Sequence, residues 1–108
     1  MIHFIWDAKN ELHIGEHGIT PAEAEYVVRQ ARPPYPREHG DNKYLVRGPT
    51  ADGRLIQVIY VALQDSTEAD YSQMDLMMVE SADSFYVIHA RPLTAREKNA
   101  LKRRRKRR

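Results

Sequence analysis

One stretch, residues 52–63, constrains the fold of this chain more than any other. It begins with an Asp-Gly pair, typical of tight turns, and continues into a run rich in β-branched residues. This combination predicts a hairpin turn followed by a strand, whereas a buried helical segment is the weaker alternative because the run is short. Apolar side chains fall on both parities, with Leu55 and Ile59 on one and Ile56 and Val58 on the other. We therefore predict a strand at the centre of a sheet, covered on both faces.

Two helices are predicted before this strand. Asp7 is a suitable N-cap for a helix over residues 8–16. Residues 20–23, Thr-Pro-Ala-Glu, form a capping box with proline at the first helical position, which predicts a second helix over residues 21–31. Its core-facing stripe is predicted to be Ala24, Val27, Val28 and Ala31. We expect the two helices to form a hairpin that packs on one face of the sheet.

The remaining strands are predicted from short apolar segments. Residues 43–48 and 85–91 predict two long strands, and residues 3–6 a small strand or an anchored arm. Strict alternation along the last strand predicts that Phe85, Val87, His89 and Arg91 lie on the face opposite Tyr86, Ile88 and Ala90. The proline-rich residues 32–37 cannot continue a helix and are expected to run extended.

A second capping box, over residues 94–97, begins a basic C-terminal helix. The predicted fold class is therefore α+β. A helical hairpin packs on an antiparallel sheet of three to four strands, and a basic helix follows the last strand. Residues 64–84 contain six acidic residues and no basic one, and are predicted to form a mobile hairpin loop.

Composition limits the class of protein. The chain has no cysteine, no apolar run long enough to span a membrane, and no signal-peptide pattern at its N-terminus. We expect a single cytoplasmic domain over residues 1–101 that makes no membrane contact. The spacing of His3, His13 and His39 does not match a metal-ligand pattern with carboxylates, so neither a metal nor a cofactor is predicted.

Charge is divided unevenly along the chain. Residues 1–95 carry a net charge of −6, whereas residues 96–108 carry +8 and end in the polybasic tail over residues 102–108. Such a segment attracts phosphate backbones by releasing counterions. A frayed helix end that only improves solubility is the alternative to nucleic-acid contact.

Four motifs occur in an order that resembles one known family. They are Trp6-Asp7, the His-Gly-Ile-Thr of residues 17–20, the Arg-Gly-Pro-Thr-Ala-Asp-Gly-Arg-Leu of residues 47–55, and the Ile-His-Ala-Arg-Pro-Leu-Thr-Ala-Arg-Glu of residues 88–97. Together they are similar to the BrnT family of type II toxin–antitoxin ribonucleases. The resemblance implies a RelE-like fold with a curved sheet, metal-independent RNA cleavage that blocks translation, and a hetero-oligomer with a ribbon-helix-helix antitoxin.

Candidate catalytic residues follow from the chemistry of RNA cleavage. The planar guanidinium group of arginine can bind two phosphate oxygens at once. The resemblance implies that Arg54 and Arg91 have this role. We predict that these two converge with His89 on one open patch, where His89 moves protons. A packed or capping histidine is the alternative for His89, and a surface ion pair is the alternative for Arg47, which we predict to contact RNA.

Further residues are predicted to support RNA binding. The basic candidates follow the last strand: Arg96, Lys98, Lys102 and Arg103. His17, Glu97 and Trp6 are auxiliary candidates, although a loop contact, the capping box and core packing respectively explain them without catalysis. The favoured function is a toxin endoribonuclease acting on RNA, including ribosome-associated mRNA. The alternative is a non-catalytic RNA- or DNA-binding accessory module derived from such a toxin.

Overall fold

A computed structural model describes residues 2–63 and 83–106 of the chain. Within these ranges the fold is α+β, as predicted, with five strands and three helices. The elements in chain order are β1 (Ile2–Ile5), α1 (Ala8–Gly15), α2 (Pro21–Arg29), β2 (Arg37–Glu38), β3 (Lys43–Pro49), β4 (Leu55–Leu63), β5 (Asp83–Pro92) and α3 (Ala95–Lys106). The predicted acidic loop over residues 64–84 lies almost entirely outside the described residues.

The strand predicted at the centre of the sheet is β4, and this prediction is confirmed. The strand order is β1-β5-β4-β3-β2, and β4 pairs antiparallel with both of its neighbours. Ile56 and Val58 on one face are fully buried, whereas Leu55 and Ile59 on the other face are only partly buried, so the predicted cover on both faces is incomplete. The turn before β4 contains Gly53, whose positive φ of 93° favours glycine over any residue with a Cβ atom.

The prediction of a purely antiparallel sheet of three to four strands is wrong. The described residues form a mixed sheet of five strands, because β1 joins the sheet parallel to β5 and β2 adds a two-residue edge beside β3. The predicted N-terminal segment forms a strand, one of the two predicted outcomes, over Ile2–Ile5 rather than residues 3–6. So short a segment carries no pattern that sets its direction. The prediction that residues 32–37 run extended is wrong: Pro33 and Pro34 form a turn, closed by a hydrogen bond from the Tyr35 backbone amide to the Arg32 carbonyl oxygen at 2.9 Å.

Both predicted N-terminal helices form, and their capping residues act as predicted. The Asp7 carboxylate accepts a hydrogen bond from the Asn10 amide, and Thr20 and Glu23 form the reciprocal capping box of α2. Helix α2 packs on β3 and β4, whereas α1 packs on β5. The main core lies between these helices and the sheet, and includes Phe4, Ile14, Ile19, Ala24, Val27, Val28, Val46, Ile56, Val58, Tyr60, Val87 and Ala90.

The predicted alternation along β5 is correct for His89, Ala90 and Arg91 but wrong for Val87, because the strand contains a β-bulge. The register against β4 shifts between Ile59 and Tyr60, so that Val87 lies opposite Tyr60 while His89 lies opposite Ile59. Val87 and Ala90 are both fully buried in the core although they lie three positions apart, and strict alternation would put them on opposite faces. An extra residue in one strand reverses the parity that follows it, which alternation alone does not predict.

The bulge determines which side chains of β5 lie on each face of the sheet. We call the face that carries Val58, Val87 and Ala90 the core face, because these side chains belong to the main core. The opposite face, which we call the outer face, carries Arg47, Gln57 and Arg91, since Gln57 is paired in register with both arginines. Because β1 pairs only with the first part of β5, α1 packs against the remaining length of that strand.

Candidate functional site

Two arginines from different strands meet on the outer face. Arg47 of β3 and Arg91 of β5 flank Gln57 of β4 in one row across the sheet. The Arg47 Nε donates a hydrogen bond to the Gln57 side-chain oxygen at 3.0 Å, and Gln57 is itself buried. The backbones of Arg47 and Arg91 lie two strand spacings apart, about 10 Å. Their guanidinium groups nevertheless meet, because both reach the same Glu97 Oε2 atom, at 3.3 and 2.8 Å. We call Arg47 and Arg91 the arginine pair.

The arginine pair binds the carboxylate of Glu97, in the first turn of α3. Arg91 donates two hydrogen bonds to it, at 2.9 and 2.8 Å, and Arg47 donates one at 3.3 Å. The same carboxylate accepts a hydrogen bond from the Thr94 amide, so the predicted capping box is present. Glu97 therefore joins the start of α3 to the outer face. A bidentate contact, in which one guanidinium group binds both carboxylate oxygens, is the strong form of an arginine–carboxylate ion pair.

The pKa of Glu97 is lowered to about 2, first by the hydrogen bonds from Arg91 and then by that from the Thr94 amide. The folded state thus favours the ionised form, and its contribution to stability is present above the ordinary pKa of 4.5 and lost as pH falls toward 2. Partial solvent screening reduces the contribution to about 1 to 2 kcal/mol. We expect Glu97→Gln to lower the free energy of unfolding by this amount at pH 7 and much less at pH 3.

Urea unfolding of both proteins across pH 2.5 to 7 measures this difference. Glu38→Gln is a matched control, because Glu38 is an exposed glutamate on the short strand β2. The control should differ little from the wild type at every pH. A Glu97→Gln deficit that stays constant between pH 7 and pH 3 would contradict the proposed effect of ionisation.

Arg54 does not join the arginine pair, so the predicted convergence of Arg54 with Arg91 is wrong. Its guanidinium contacts the carboxylate of Glu23 on α2, and a second carboxylate, Asp52, lies 3.9 Å from its Nε. The hydrogen bond to Glu23 raises the pKa of Arg54. Because α2 covers the core face, this contact directs Arg54 away from the outer face. The turn residue just before a strand has no fixed face, and an acidic helix start attracts it.

Three histidines form a second cluster, which we call the histidine triangle. His13 of α1, His17 after α1 and His89 of β5 have ring centroids 5.9, 6.0 and 5.8 Å apart in pairs. His89 is two residues from Arg91 and follows the bulge, so it and Arg91 share the outer face. Burial lowers the pKa of His89, and the charges of Arg91, His17 and His13 lower it further. A neutral His89 is thus favoured near pH 7, which suits a proton acceptor.

A surface pocket of about 400 Å³ lies beside the histidine triangle, between α1 and β5. Its lining is mixed in character and includes Lys9, Asn10, Leu12, His13, Glu16, Tyr86 and Ile88. The Tyr86 hydroxyl donates to the Asp7 carboxylate at 3.0 Å, which fixes one aromatic wall. The pocket offers apolar surface, an aromatic ring and one ammonium group close to His13.

The remaining predicted residues lie on α3 and directly after β1. The basic candidates on α3, which are Arg96, Lys98, Lys102 and Arg103, are all exposed. Trp6 packs against the core, and its indole Nε1 donates to Glu25 at 2.7 Å. Leu101, one turn after Glu97, is buried, so α3 directs Leu101 and Glu97 to the protein, whereas the four basic candidates point to solvent.

Sequence reasoning missed two contributors to the site. Gln57 was assigned only to the strand, although a polar residue within an apolar run is a signal for a specific partner. His13 was compared only with His3 and His39, although it lies four residues before His17. The spacing of His13 and His17 does not identify His89 of β5 as their neighbour, because that contact depends on the tertiary fold.

The fold and this site together define a small α+β protein with an arginine pair bound to the Glu97 carboxylate and an adjacent histidine triangle. No protein-family model matches the chain, and no curated protein matches it either. No helix in the described ranges is long and apolar enough to cross a bilayer.

Proposed function

We propose that this protein is a metal-independent endoribonuclease, the toxin of a BrnT-like type II toxin–antitoxin system. The observation that carries the proposal is the convergence of Arg47 and Arg91 on one carboxylate. A carboxylate presents two oxygens and one negative charge, as a phosphodiester does. The arginine pair therefore has the spacing and charge to bind an RNA phosphate in place of Glu97.

The histidine triangle supplies the proton-transfer groups that the reaction requires. Cleavage begins when a base removes the proton of a ribose 2′-hydroxyl, which then attacks the adjacent phosphorus. An acid returns a proton to the leaving 5′-oxygen. His89 serves as the base, because it shares the outer face with Arg91 and its lowered pKa favours the neutral ring. The arginine pair stabilises the added charge on the phosphate oxygens.

Glu97 acts as a competitor for the arginine pair in this proposal. An RNA phosphate must displace its carboxylate from Arg91 before it can bind in the same two-pronged manner. Glu97→Gln removes the competing charge. It should therefore raise the affinity for RNA while it lowers the stability of the protein, which distinguishes the two effects. The pocket beside His13 gives a neighbouring nucleobase a surface on which to stack against Tyr86.

The basic residues of α3 extend the proposed RNA surface. Arg96, Lys98, Lys102 and Arg103 are exposed on the helix that contains Glu97, so they attract the backbone on either side of the reacting phosphate. A ribbon-helix-helix antitoxin that covers this surface would complete the system. The finer architecture, RelE-like with α1 and α2 as an N-terminal helical hairpin, belongs to the same proposal, and it depends on the motif resemblance.

A non-catalytic RNA- or DNA-binding module is the second candidate. The observation that favours it is that both members of the arginine pair already contact Glu97, while the basic face of α3 is exposed. Such a protein would bind nucleic acid through α3 alone. Its binding would survive changes to the arginine pair.

RNA cleavage by the purified full chain, in the presence of EDTA, tests the proposal. We expect products that end in a 2′,3′-cyclic phosphate, because the 2′-oxygen is the nucleophile. Binding without cleavage, unchanged by Arg91→Ala, would support the second candidate instead. Deletion of residues 102–108 is a further arm: loss of binding with retained cleavage of free RNA would identify the tail as a docking segment.

A further inference from the structure

The surface pocket between α1 and β5 leads directly to the histidine triangle. Near the start of α1, the Asp7 carboxylate contacts the Tyr86 hydroxyl. Near the end of the helix, the ring of His13 lies 6.0 Å from that of His89, measured between centroids. Helix α1 therefore runs beside β5 in the same direction, and the pocket of about 400 Å³ lies between them. A volume of this size accommodates a small ligand next to the ring that we assign as the base.

One wall of the pocket is a stripe of α1 that carries two opposite charges. Lys9, Leu12 and Glu16 line the pocket, and their spacing is that of one helix face. Lys9 and Glu16 are seven residues apart, about 10.5 Å along the helix axis. Glu16 is at the end near the histidine triangle, because its carboxylate lies 4.0 Å from the Nδ1 of His13 and its side chain is 63% exposed. The pocket thus offers hydrogen-bond acceptors at one end and donors at the other.

The other wall belongs to β5 and is largely apolar. It is formed by Tyr86 and by Ile88, the residue that β4 skips at the bulge. The hydrogen bond to Asp7 holds the Tyr86 ring beside the pocket. The side-chain amide of Asn10 also reaches the lining, but it is already bound to two backbone carbonyl oxygens. A planar aromatic ligand fits this wall, and the two charged groups of α1 are placed to select it.

We propose that the pocket binds a guanine base and that Glu16 is the residue that selects it. Guanine is the common RNA base with two adjacent donors on one edge, its N1–H and its 2-amino group, and a carboxylate accepts two such donors together. Its O6 and N7 atoms are acceptors, to which the Lys9 ammonium donates. Adenine would place its N1 acceptor against the carboxylate and leave both groups without a donor. The edge of a guanine with a hydrogen bond at each end spans about 10 Å, close to the separation of Lys9 and Glu16.

The position of the pocket determines which nucleotide is selected, and this step rests on the proposed function. A base is attached to the ribose carbon next to the one that carries the 2′-hydroxyl. A base in the pocket therefore brings its own 2′-hydroxyl close to His89. The bond formed joins this 2′-oxygen to phosphorus, and the bond broken releases the 5′-oxygen of the next nucleotide, which takes up a proton. Cleavage should thus follow guanosine, and the new end should be guanosine 2′,3′-cyclic phosphate.

Titration of the full chain with 3′-mononucleotides tests the inference without requiring cleavage. We expect 3′-GMP to bind at least about fivefold more tightly than 3′-AMP or 3′-CMP, because a two-point contact to a base edge discriminates by about 5- to 150-fold. Inosine 3′-monophosphate, which lacks only the 2-amino group, should bind with intermediate affinity. Glu16→Gln should lose the preference for 3′-GMP. Glu11→Gln should retain it, since Glu11 is an exposed glutamate of α1 outside the pocket lining.

Equal affinity of the wild type for 3′-GMP and 3′-AMP would overturn the inference, as would a preference that survives Glu16→Gln. A further test uses the wild type alone. Addition of 3′-GMP should move the ring resonances of Tyr86 more than those of Tyr26, an exposed tyrosine of α2, and equal shifts would exclude the pocket as the site.

The failure of this inference is distinguishable from the failure of the proposed function. RNA cleavage with no preference for guanosine would reject the guanine pocket and keep the nuclease. Selective binding of 3′-GMP by a chain that cleaves no RNA would reject the nuclease and keep the pocket.

Discussion

Arg91→Ala should reduce the rate of RNA cleavage by at least about 100-fold, because removal of one preorganised donor to a developing oxyanion costs about 10² to 10³ in rate. Arg91 makes the strongest contact in the site, with two hydrogen bonds to a single carboxylate at 2.9 and 2.8 Å. A phosphate held in this manner would lose both contacts together. Cleavage of a defined RNA oligonucleotide under single-turnover conditions measures the effect on the chemical step.

Three further variants make this prediction specific. Arg91→Lys keeps the charge but not the planar fork, and should recover only a small part of the rate. Arg29→Ala is the matched control, since Arg29 is a surface arginine of α2 paired with Glu25. Arg54→Ala distinguishes two roles for that residue. It should slow cleavage if Arg54 is catalytic, and leave the rate unchanged if Arg54 only binds Glu23. Near-wild-type cleavage by folded Arg91→Ala would exclude the arginine pair from the reaction.

The parts of the fold that sequence predicted are those with a local physical cause. Asp7 and the Thr20–Glu23 box begin their helices because they satisfy backbone amides within one turn, whatever surrounds them. Residues 55–63 form the central strand because a run apolar on both parities has few other stable positions. These signals act within a few residues, so a single sequence contains them in full.

The bulge in β5 shows where such reasoning fails. Alternation assigns Val87 and Arg91 to one face, but the extra residue in β5 places Val87 in the core and leaves Arg91 on the outer face. The bulge depends on the partner strand, because β4 pairs with His89 and with Val87 but skips Ile88. A pairwise register of this kind is a tertiary property that one strand's sequence does not carry.

The candidate site was predicted in part for the same reason. Sequence placed His89 beside Arg91 because the two lie two residues apart on one strand, and it gave Glu97 only as an auxiliary candidate. It placed Arg54 with them, although the acidic start of α2 binds that side chain on the core face. It also missed His13, which reaches His89 only because α1 packs against the part of β5 that β1 leaves uncovered. Contacts between distant segments decide which charges meet.

Asn10 holds α1 in that position, and it leads to a second large expected effect. Its side chain is 3% exposed, and its Nδ2 donates to the carbonyl oxygens of Ile5 at 3.0 Å and Val87 at 3.1 Å. Its Oδ1 accepts a hydrogen bond from the Asp7 amide at 2.8 Å. One amide group therefore joins β1, the start of α1 and β5. A buried polar group that loses its partner costs about 1 to 3 kcal/mol.

We expect Asn10→Ala to lower the free energy of unfolding by about 2 to 4 kcal/mol, since it leaves three backbone groups without their partner at once. Asn10→Asp keeps the shape but removes the donor and sets a carboxylate against two carbonyl oxygens, so it should be at least as destabilising. Urea unfolding measures both, with an unchanged slope and a lower midpoint as the expected pattern. Asn99→Ala, at an exposed position of α3, is the control and should stay within about 0.5 kcal/mol of the wild type.

The same variant tests whether the position of α1 determines the site. His13 lies one turn after Asn10, so a helix that detaches from β5 also moves His13 away from His89. At urea concentrations below its unfolding midpoint, Asn10→Ala should therefore show weaker through-space NMR cross-peaks between the His13 and His89 rings than Asn99→Ala does. If Asn10→Ala is as stable as the wild type, the hydrogen bonds of Asn10 do not hold α1 against the sheet, and the packing of Ile14 alone must position the histidine triangle.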